Sequence, residues 1–509
     1  MGAGLLSAVN LGLRIIGNLI LISCALRYLG REQYGLFVLF QSIAMYLAMA
    51  ELGVGQSVMN FQGAAFVRGD YAEISRILTT TFALNAMIVI PVWILSALCI
   101  LYLPVDKWFL KDVPLAVGPV FKPFLLLTAT LALIRVPLQV LPTTFLGLRE
   151  SHLRQLVDVF TNLLVLLTSI LTLTWGGGLL ALILATHLAS MLLTAASYPL
   201  VRMWHPSVRL ARQFWTPALL SLLLSNSLFF FLANTGLLVQ RLAGPLLAGG
   251  FASLAQVTQL FAVLTLFRVV GWSLMDILSQ AILPYIIRFS EEGRTDRVLF
   301  FARLSTKVTF ALAVTYSAVI WLFADVGIRF WLGPEMFIGY KPLACIIGSF
   351  LLEVLFLSTN NFMRSLNKHR PLAMVLAVYA ILSLVFGVLG AKYWTPDDPL
   401  FGLCFGMFVA SLGAQGVILP FVTNNWLRIS WPNYLLDFIL SPGLLAGSSA
   451  LILLGFRGMS PDHIWNRGPW ALSLLLALSL ITWFLVLDRE ARRWMIGQLN
   501  RPGTSKGVE

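Results

Sequence analysis

Three arginines interrupt stretches that are otherwise apolar enough to cross a bilayer: Arg14, Arg135 and Arg268. A charge near the middle of a spanning helix costs about 2.5–3.5 kcal/mol on insertion scales, so each is a functional candidate by default. A guanidinium stays charged at any cellular pH, and its planar fork suits phosphate. The plainer alternative for each is a structural ion pair or a side chain snorkelling to the headgroups. Glu353 lies near the middle of another apolar stretch and is the best candidate acid in the membrane, either exchanging a proton or neutralising an arginine. Glu51 and Asp158 fall nearer one face, as ion-pair or coupling acids. Asn226, Asn234, Gln256 and Gln259 could line a polar cleft or glue helices together.

No enzyme constellation accompanies these residues. The sequence has no His-Glu-x-x-His, no glycine-rich phosphate loop with lysine and no Gly-x-Ser-x-Gly. Asp397-Asp398 sits in a short proline-bounded segment that reads as a turn, without partner acids. The five histidines are dispersed, with His152, His205 and His369 in expected cytoplasmic loops. Cys24, Cys99, Cys345 and Cys404 form no CxxC pair and read as apolar packers. The expectation is a non-enzyme with no cofactor and no metal.

The elements that must position the charges follow from composition. Of 509 residues, 59% are apolar and 11% charged, against about 45–50% and about 25% in soluble domains. Mean hydropathy is +0.86. Lipid must therefore solvate most of the outside. The net charge of +13 is spread through short loops, with no stripe or tail to hold nucleic acid. Apolar segments of bilayer-spanning length recur without period-2 alternation, which predicts an all-α integral membrane protein and disfavours a β-barrel.

About fourteen transmembrane helices are expected: 5–26, 35–59, 79–103, 121–146, 156–175, 178–200, 216–240, 251–272, 304–324, 342–363, 371–393, 400–422, 435–455 and 469–487. One set of connectors holds about twice as many Lys and Arg as the other, including Arg202, Arg209, Arg212, Arg288, Arg294 and Arg297. Both termini are therefore expected in the cytoplasm.

A weak repeat supports a division into two pseudo-symmetric six-helix bundles, 1–213 and 214–430, with two extra helices and a tail in 431–509. Arg27-Tyr28-Leu29-Gly30, Gly35 and Gln41 echo Arg241-Leu242-Ala243-Gly244, Gly250 and Gln256, and Thr81-Phe82-Ala83-Leu84 echoes Thr309-Phe310-Ala311-Leu312. Bundles repeated in parallel place a transporter's site in the cleft between them.

The segment Arg27-Tyr28-Leu29-Gly30-Arg31-Glu32-Gln33-Tyr34-Gly35, followed by Tyr46 and Glu51-Leu52-Gly53-Val54-Gly55, resembles the polysaccharide-transporter family of lipid-linked oligosaccharide (O-antigen) flippases. That family shares a superfamily with multidrug and toxin extruders and the peptidoglycan-precursor flippase. Arg68-Gly69-Asp70 and Arg76 are similar to its first cytoplasmic loop. Val54 and Glu51 depart from the pattern, where Leu and Asp are common. The motif match covers about the first 85 residues.

The resemblance implies a V-shaped, multi-pass transporter of the bacterial inner membrane. Its cargo would be an oligosaccharide on polyprenyl pyrophosphate, moved by alternating access to the outer leaflet for surface polysaccharide (exopolysaccharide) biosynthesis, beside polymerase or ligase machinery. Arg14, Arg135 and Arg268 would then be cleft cations for the phosphates, and the four amides would contact sugar. Cavity arginines on spans 1 and 8 of the peptidoglycan branch favour Arg14 and Arg268 by analogy.

Two rivals stand beside this reading. A cation-coupled drug or metabolite exporter of the same fold should carry net acid in its cleft. A membrane-embedded glycosyltransferase or polymerase should carry a reactive cluster on a sizeable outer loop, and the longest here, 103–120 and 325–341, are short.

Overall fold

The computed structural model describes residues 2–111, 118–365, 369–427, 430–456, 464–487, 489 and 491–493. Among them the chain is helical throughout, with no strand. The first ten helices are α1 (Gly2–Leu47), α2 (Val54–Val67), α3 (Tyr71–Tyr102), α4 (Val105–Phe109), α5 (Gly118–Leu138), α6 (Val140–Gly147), α7 (Ser151–Thr174), α8 (Gly178–Trp204), α9 (Ala218–Phe251) and α10 (Leu254–Thr265). The wide π-type turn Leu266–Gly271 leads to α11 (Trp272–Glu291), α12 (Thr295–Leu332), α13 (Tyr340–Leu355), α14 (Leu357–Ser365), α15 (His369–Leu389) and α16 (Pro399–Ser411). Shorter helices follow: α17 (Leu419–Leu427), α18 (Trp431–Tyr434), α19 (Ser441–Phe456) and α20 (Ile464–Ile481).

Each of the fourteen expected spans has a helical counterpart. Nine helical segments among the described residues are long and apolar enough to cross a membrane on their own, and Phe438–Ser449 and Leu472–Phe484 are shorter apolar helices. The difference from fourteen has local causes. Expected spans 1 and 2 form one helical run, α1, broken at Gly30, where φ is 78° and ψ 175°. That conformation favours glycine. Expected span 10 is split into α13 and α14 at Phe356. Parts of α9 and α19 lie outside the described side chains.

The chain divides into two compact units, residues 1–269 with 373–410, and 270–372 with 411–509. This is a grouping by packing, whereas the six-span repeat is a pattern in the sequence. The repeated motif takes different backbones in its two copies: Gly30 breaks α1, but Gly244 lies inside α9.

In the first unit α1 packs on α7, and α3 on α5. Gly35 is required at a close approach, since a Cβ there would fall on the carbonyl of Leu254 in α10. Helices α15 and α16 meet backbone to backbone: a Cβ on Gly390 or Gly402 would strike the other's carbonyl, and one on Gly406 would strike that of Phe386. Small residues that admit such contact are the common currency of helix packing in lipid.

In the second unit α11 and α12 form a hairpin turned at Gly293, with φ of 69°. Tyr285 and Phe289 stack on Phe301 with ring centroids 5.2 and 5.5 Å apart. Helix α12 holds 38 residues. At 1.5 Å per residue it is about 57 Å long, well beyond a ~30 Å hydrocarbon core.

Candidate functional site

The Glu51-Leu52-Gly53-Val54-Gly55 segment makes a sharp corner between α1 and α2. A 3-10 turn, Ala48–Glu51, is followed by Leu52 (φ 53°) and Gly53 (φ 73°), both left-handed. A leucine there is a strained position for a residue with a side chain, of the kind that clusters at functional sites. Beyond the corner the Gly55 N–H donates to Glu51 Oε1 at 3.2 Å. A Cβ on Gly55 would lie 2.5 Å from that oxygen. Gly55 therefore allows the carboxylate to fold back over the start of α2.

Glu51 lines a cavity of about 290 Å³ in the first unit with Met45, Ala48, Met49 and Gly53 of the corner and Asn234, Leu237, Leu238 and Arg241 of α9. Asn234 and Arg241 are seven residues apart, two turns on one face. Arg241 and Tyr379 of α15 are the electrostatic neighbours of Arg268, and Tyr46 neighbours Tyr379. Two guanidiniums and two phenols thus gather near a wall that also carries one acid and one amide. Arg268 itself sits on the π-type turn Leu266–Gly271. Such wide turns recur at functional sites.

Arg135 forms a second charged locus in the same unit. It lies in α5 just before Pro137 and the break at Gln139, whose N–H is shared between the carbonyls of Arg135 and Val136 at 3.2 Å each. Pro137 and Pro142 supply no N–H, and the helix gives way between them. The guanidinium Nε of Arg135 is buried and finds no hydrogen-bond partner among the described residues. Its charged neighbours are Arg154 and Asp158 of α7. These two are already bonded to each other, Arg154 Nε to Asp158 Oδ2, at 3.0 Å. Asp158 is therefore an ion-pair acid, and Arg154 also acts electrostatically on Glu51. His187 of α8, 6% exposed, is a further electrostatic neighbour of Arg135, with Gln41 of α1 against it at 3.3 Å.

The remaining candidates are dispersed. Arg14 is exposed on the first part of α1, on the helical stripe of Asn10, which accepts from Asn162 and donates to Gln155 of α7 at 2.7 and 3.1 Å. Glu353 belongs to the second unit, in α13, and is 3% exposed. In that unit Asp276 accepts from Asn361 and Gln280 at 2.9 and 2.8 Å. Gln256 is engaged locally: with Ser253 it forms a reciprocal capping box at the start of α10. Gln259 is half-buried on the same helix. Asn226 lies on α9, and its side chain is outside the described residues. Among the described residues no group of three His, Cys, Asp or Glu could hold a metal.

The sequence reading passed over Arg241, Arg154, His187, Gln41 and the Tyr46–Tyr379 pair. Arg241 lies one residue past the expected span 216–240. Helix α9 runs on through Gly244 and Pro245 to Phe251. Pro245 lacks an N–H and leaves the Arg241 carbonyl without its helical donor.

The fold is similar to that of solved transporters of the MOP superfamily. No family profile matches the chain by sequence, and no curated protein does. Among solved structures, it is similar to the lipid II flippase MurJ in an inward closed conformation, with a TM-score of 0.67 at 13% identity, covering 98% of this chain and 100% of that one. It is also similar to an inward-facing multidrug-resistance MATE transporter of the MOP superfamily, at 0.66 and 15% identity, covering 83% and 97%. A MOP-superfamily transporter from Pyrococcus furiosus aligns at 0.56 and 16% identity, covering 82% and 92%. Identities this low speak to fold, and these neighbours are transporters and flippases.

Proposed function

We propose that this chain flips a polyprenyl-pyrophosphate-linked oligosaccharide from the cytoplasmic to the outer leaflet of the bacterial inner membrane, for surface polysaccharide biosynthesis. The observation that carries the reading is Arg135: a guanidinium within a spanning segment whose Nε has no partner among the described residues. A guanidinium N–H buried without a partner is unfavourable, and a phosphate oxygen is a good acceptor for it. Arg268 with Arg241 is a second cationic place, and Arg14 a third along α1. Asn234 on the cavity wall is suited to a sugar hydroxyl. The opening motif, with its Gly30 break and Glu51 corner, supports the same reading.

In this scheme the polyprenyl tail stays in lipid while the headgroup crosses a polar path between fixed cations. Glu353 is the proposed coupling acid, both termini face the cytoplasm, and polymerase or ligase machinery consumes the product. A small-molecule exporter is the second reading, favoured by Glu51 on the cavity wall; Arg241 on the same wall counts against a cationic drug.

The test is transport in proteoliposomes of a fluorescent polyprenyl-pyrophosphate oligosaccharide, followed by quenching of the outward-facing label. Wild type should scramble or pump the probe, and Arg135→Ala should not. Equal transport by both would remove Arg135 from the mechanism. Transport of cationic dyes without the glycolipid would select the exporter.

A further inference from the structure

We propose that His187 takes up a proton when a phosphate anion loads at Arg135, so that anion and proton bind the first unit together. The proposal rests on Arg135 being a phosphate contact, and it adds a proton-binding residue and the sign of the coupling.

Donor and acceptor bookkeeping fixes the state of the ring. Thr186 Oγ1 donates its proton to the carbonyl of Leu182 or Ile183, at 2.9 and 3.0 Å. It can then only accept from Gln41, whose Nε2 lies 3.4 Å away. The same Nε2 is 3.3 Å from His187 Nε2. The amide therefore presents its N–H₂ side, the ring nitrogen accepts, and the imidazole is neutral with its proton on Nδ1, a tautomer assigned from this network. Gln41 is suited to both states. Turning its amide over offers Oε1 to a newly protonated Nε2 while the Thr186 hydroxyl swings its proton from the backbone carbonyl, so proton uptake needs two side-chain rotations and no movement of helices.

The surroundings give the coupling its sign. Arg135 is the charged group that acts on His187. Of the elements packed on α8, α7 contributes Arg154 and Asp158, already paired with each other. Helix α6 contributes no ionisable side chain, and α1 contributes Gln41. Other ionisable groups of α1 lie farther along it, at Arg14, Cys24, Arg27, Tyr28, Arg31, Glu32, Tyr34 and Tyr46. A second positive charge near Arg135 is unfavourable until an anion is seated there. A phosphate seated there reverses the local sign, and a proton from water on Nε2 then gains an anion as neighbour. The effect is reciprocal: protonation raises phosphate affinity by the same factor.

The experiment uses the full chain in nanodiscs of zwitterionic lipid, with farnesyl pyrophosphate as probe. Calorimetric titration at pH 7 in two buffers of different ionisation enthalpy reads the protons exchanged on binding. Wild type should take up more protons per probe than His187→Gln. Its affinity should weaken by about tenfold more than the variant's between pH 6 and pH 8. Identical proton numbers and pH profiles would overturn the proposal while leaving the phosphate contact intact. Because His187 is buried, nitrogen NMR of 15N-histidine wild type provides a measurement without substitution. The His187 Nε2 signal should move to the protonated position on saturation, and a ring that stays neutral overturns the coupling. Equal probe binding by wild type and Arg135→Gln, or none by wild type, would overturn both the contact and the coupling.

Discussion

Glu51 and Gly55 are joined across a left-handed corner, the Gly55 N–H donating to Glu51 Oε1 at 3.2 Å. The bond turns the acid back over the helix it precedes and sets it on a cavity wall opposite Arg241. Because a methyl on Gly55 would lie 2.5 Å from the carboxylate oxygen, Gly55→Ala must push Glu51 out of place. Transport should fall by about tenfold or more, as misplacement by about 1 Å commonly does. Glu51→Gln keeps the shape and should be milder. Rates for the two variants in proteoliposomes check this ordering.

Arg135→Ala separates function from stability. Removing the buried Nε–H that finds no partner among the described residues should raise thermal stability, by ~1 kcal/mol, while abolishing glycolipid transport. A lower unfolding temperature in detergent would mean that Arg135 supports the fold.

Arg241 and Arg268 are electrostatic neighbours. If they hold one diphosphate between them, Arg241→Gln and Arg268→Gln should each weaken binding of farnesyl pyrophosphate. The double variant should then lose less than the two single losses combined, with a coupling of about 0.5–3 kcal/mol. Strict additivity would place them at separate ligands.

Glu353 is 3% exposed within α13. Glu353→Gln should leave glycolipid binding unchanged and make transport indifferent to an imposed proton gradient. An undiminished response to uncouplers would return Glu353 to a structural role.

The α15–α16 crossing makes a prediction about folding alone. Gly406→Ala forces a Cβ onto the Phe386 carbonyl and should destabilise by about 1–3 kcal/mol. Gly443→Ala, with nothing within 4 Å of the added carbon, should be neutral or slightly stabilising. Unfolding temperatures of the two variants in one detergent make the comparison.

Helix positions were legible because hydrophobic length is a strong signal in lipid, and the Gly30 break fell where Arg27-Tyr28-Leu29-Gly30 indicated. Arg135 was legible as a charge inside an apolar span, just before Pro137. Arg241 was not, since the expected span ended at residue 240 and α9 continues through Gly244 and Pro245 to Phe251; prolines are tolerated inside membrane helices. His187 was missed for a different reason. Its meaning depends on Gln41, 146 residues away in the chain, and no local pattern announces that pairing. Gln256 could be read from Ser253, three residues before it, as a capping box rather than a ligand contact.

The hairpin of α11 and α12 has one more consequence. Helix α12, at 38 residues, is nearly twice as long as the oily layer and must run out of it. The Glu291–Arg294 tip then stands clear of the headgroups, as a mast above a deck. A protease or antibody acting from that side would meet it first, making the tip a built-in reporter of which way the chain is threaded.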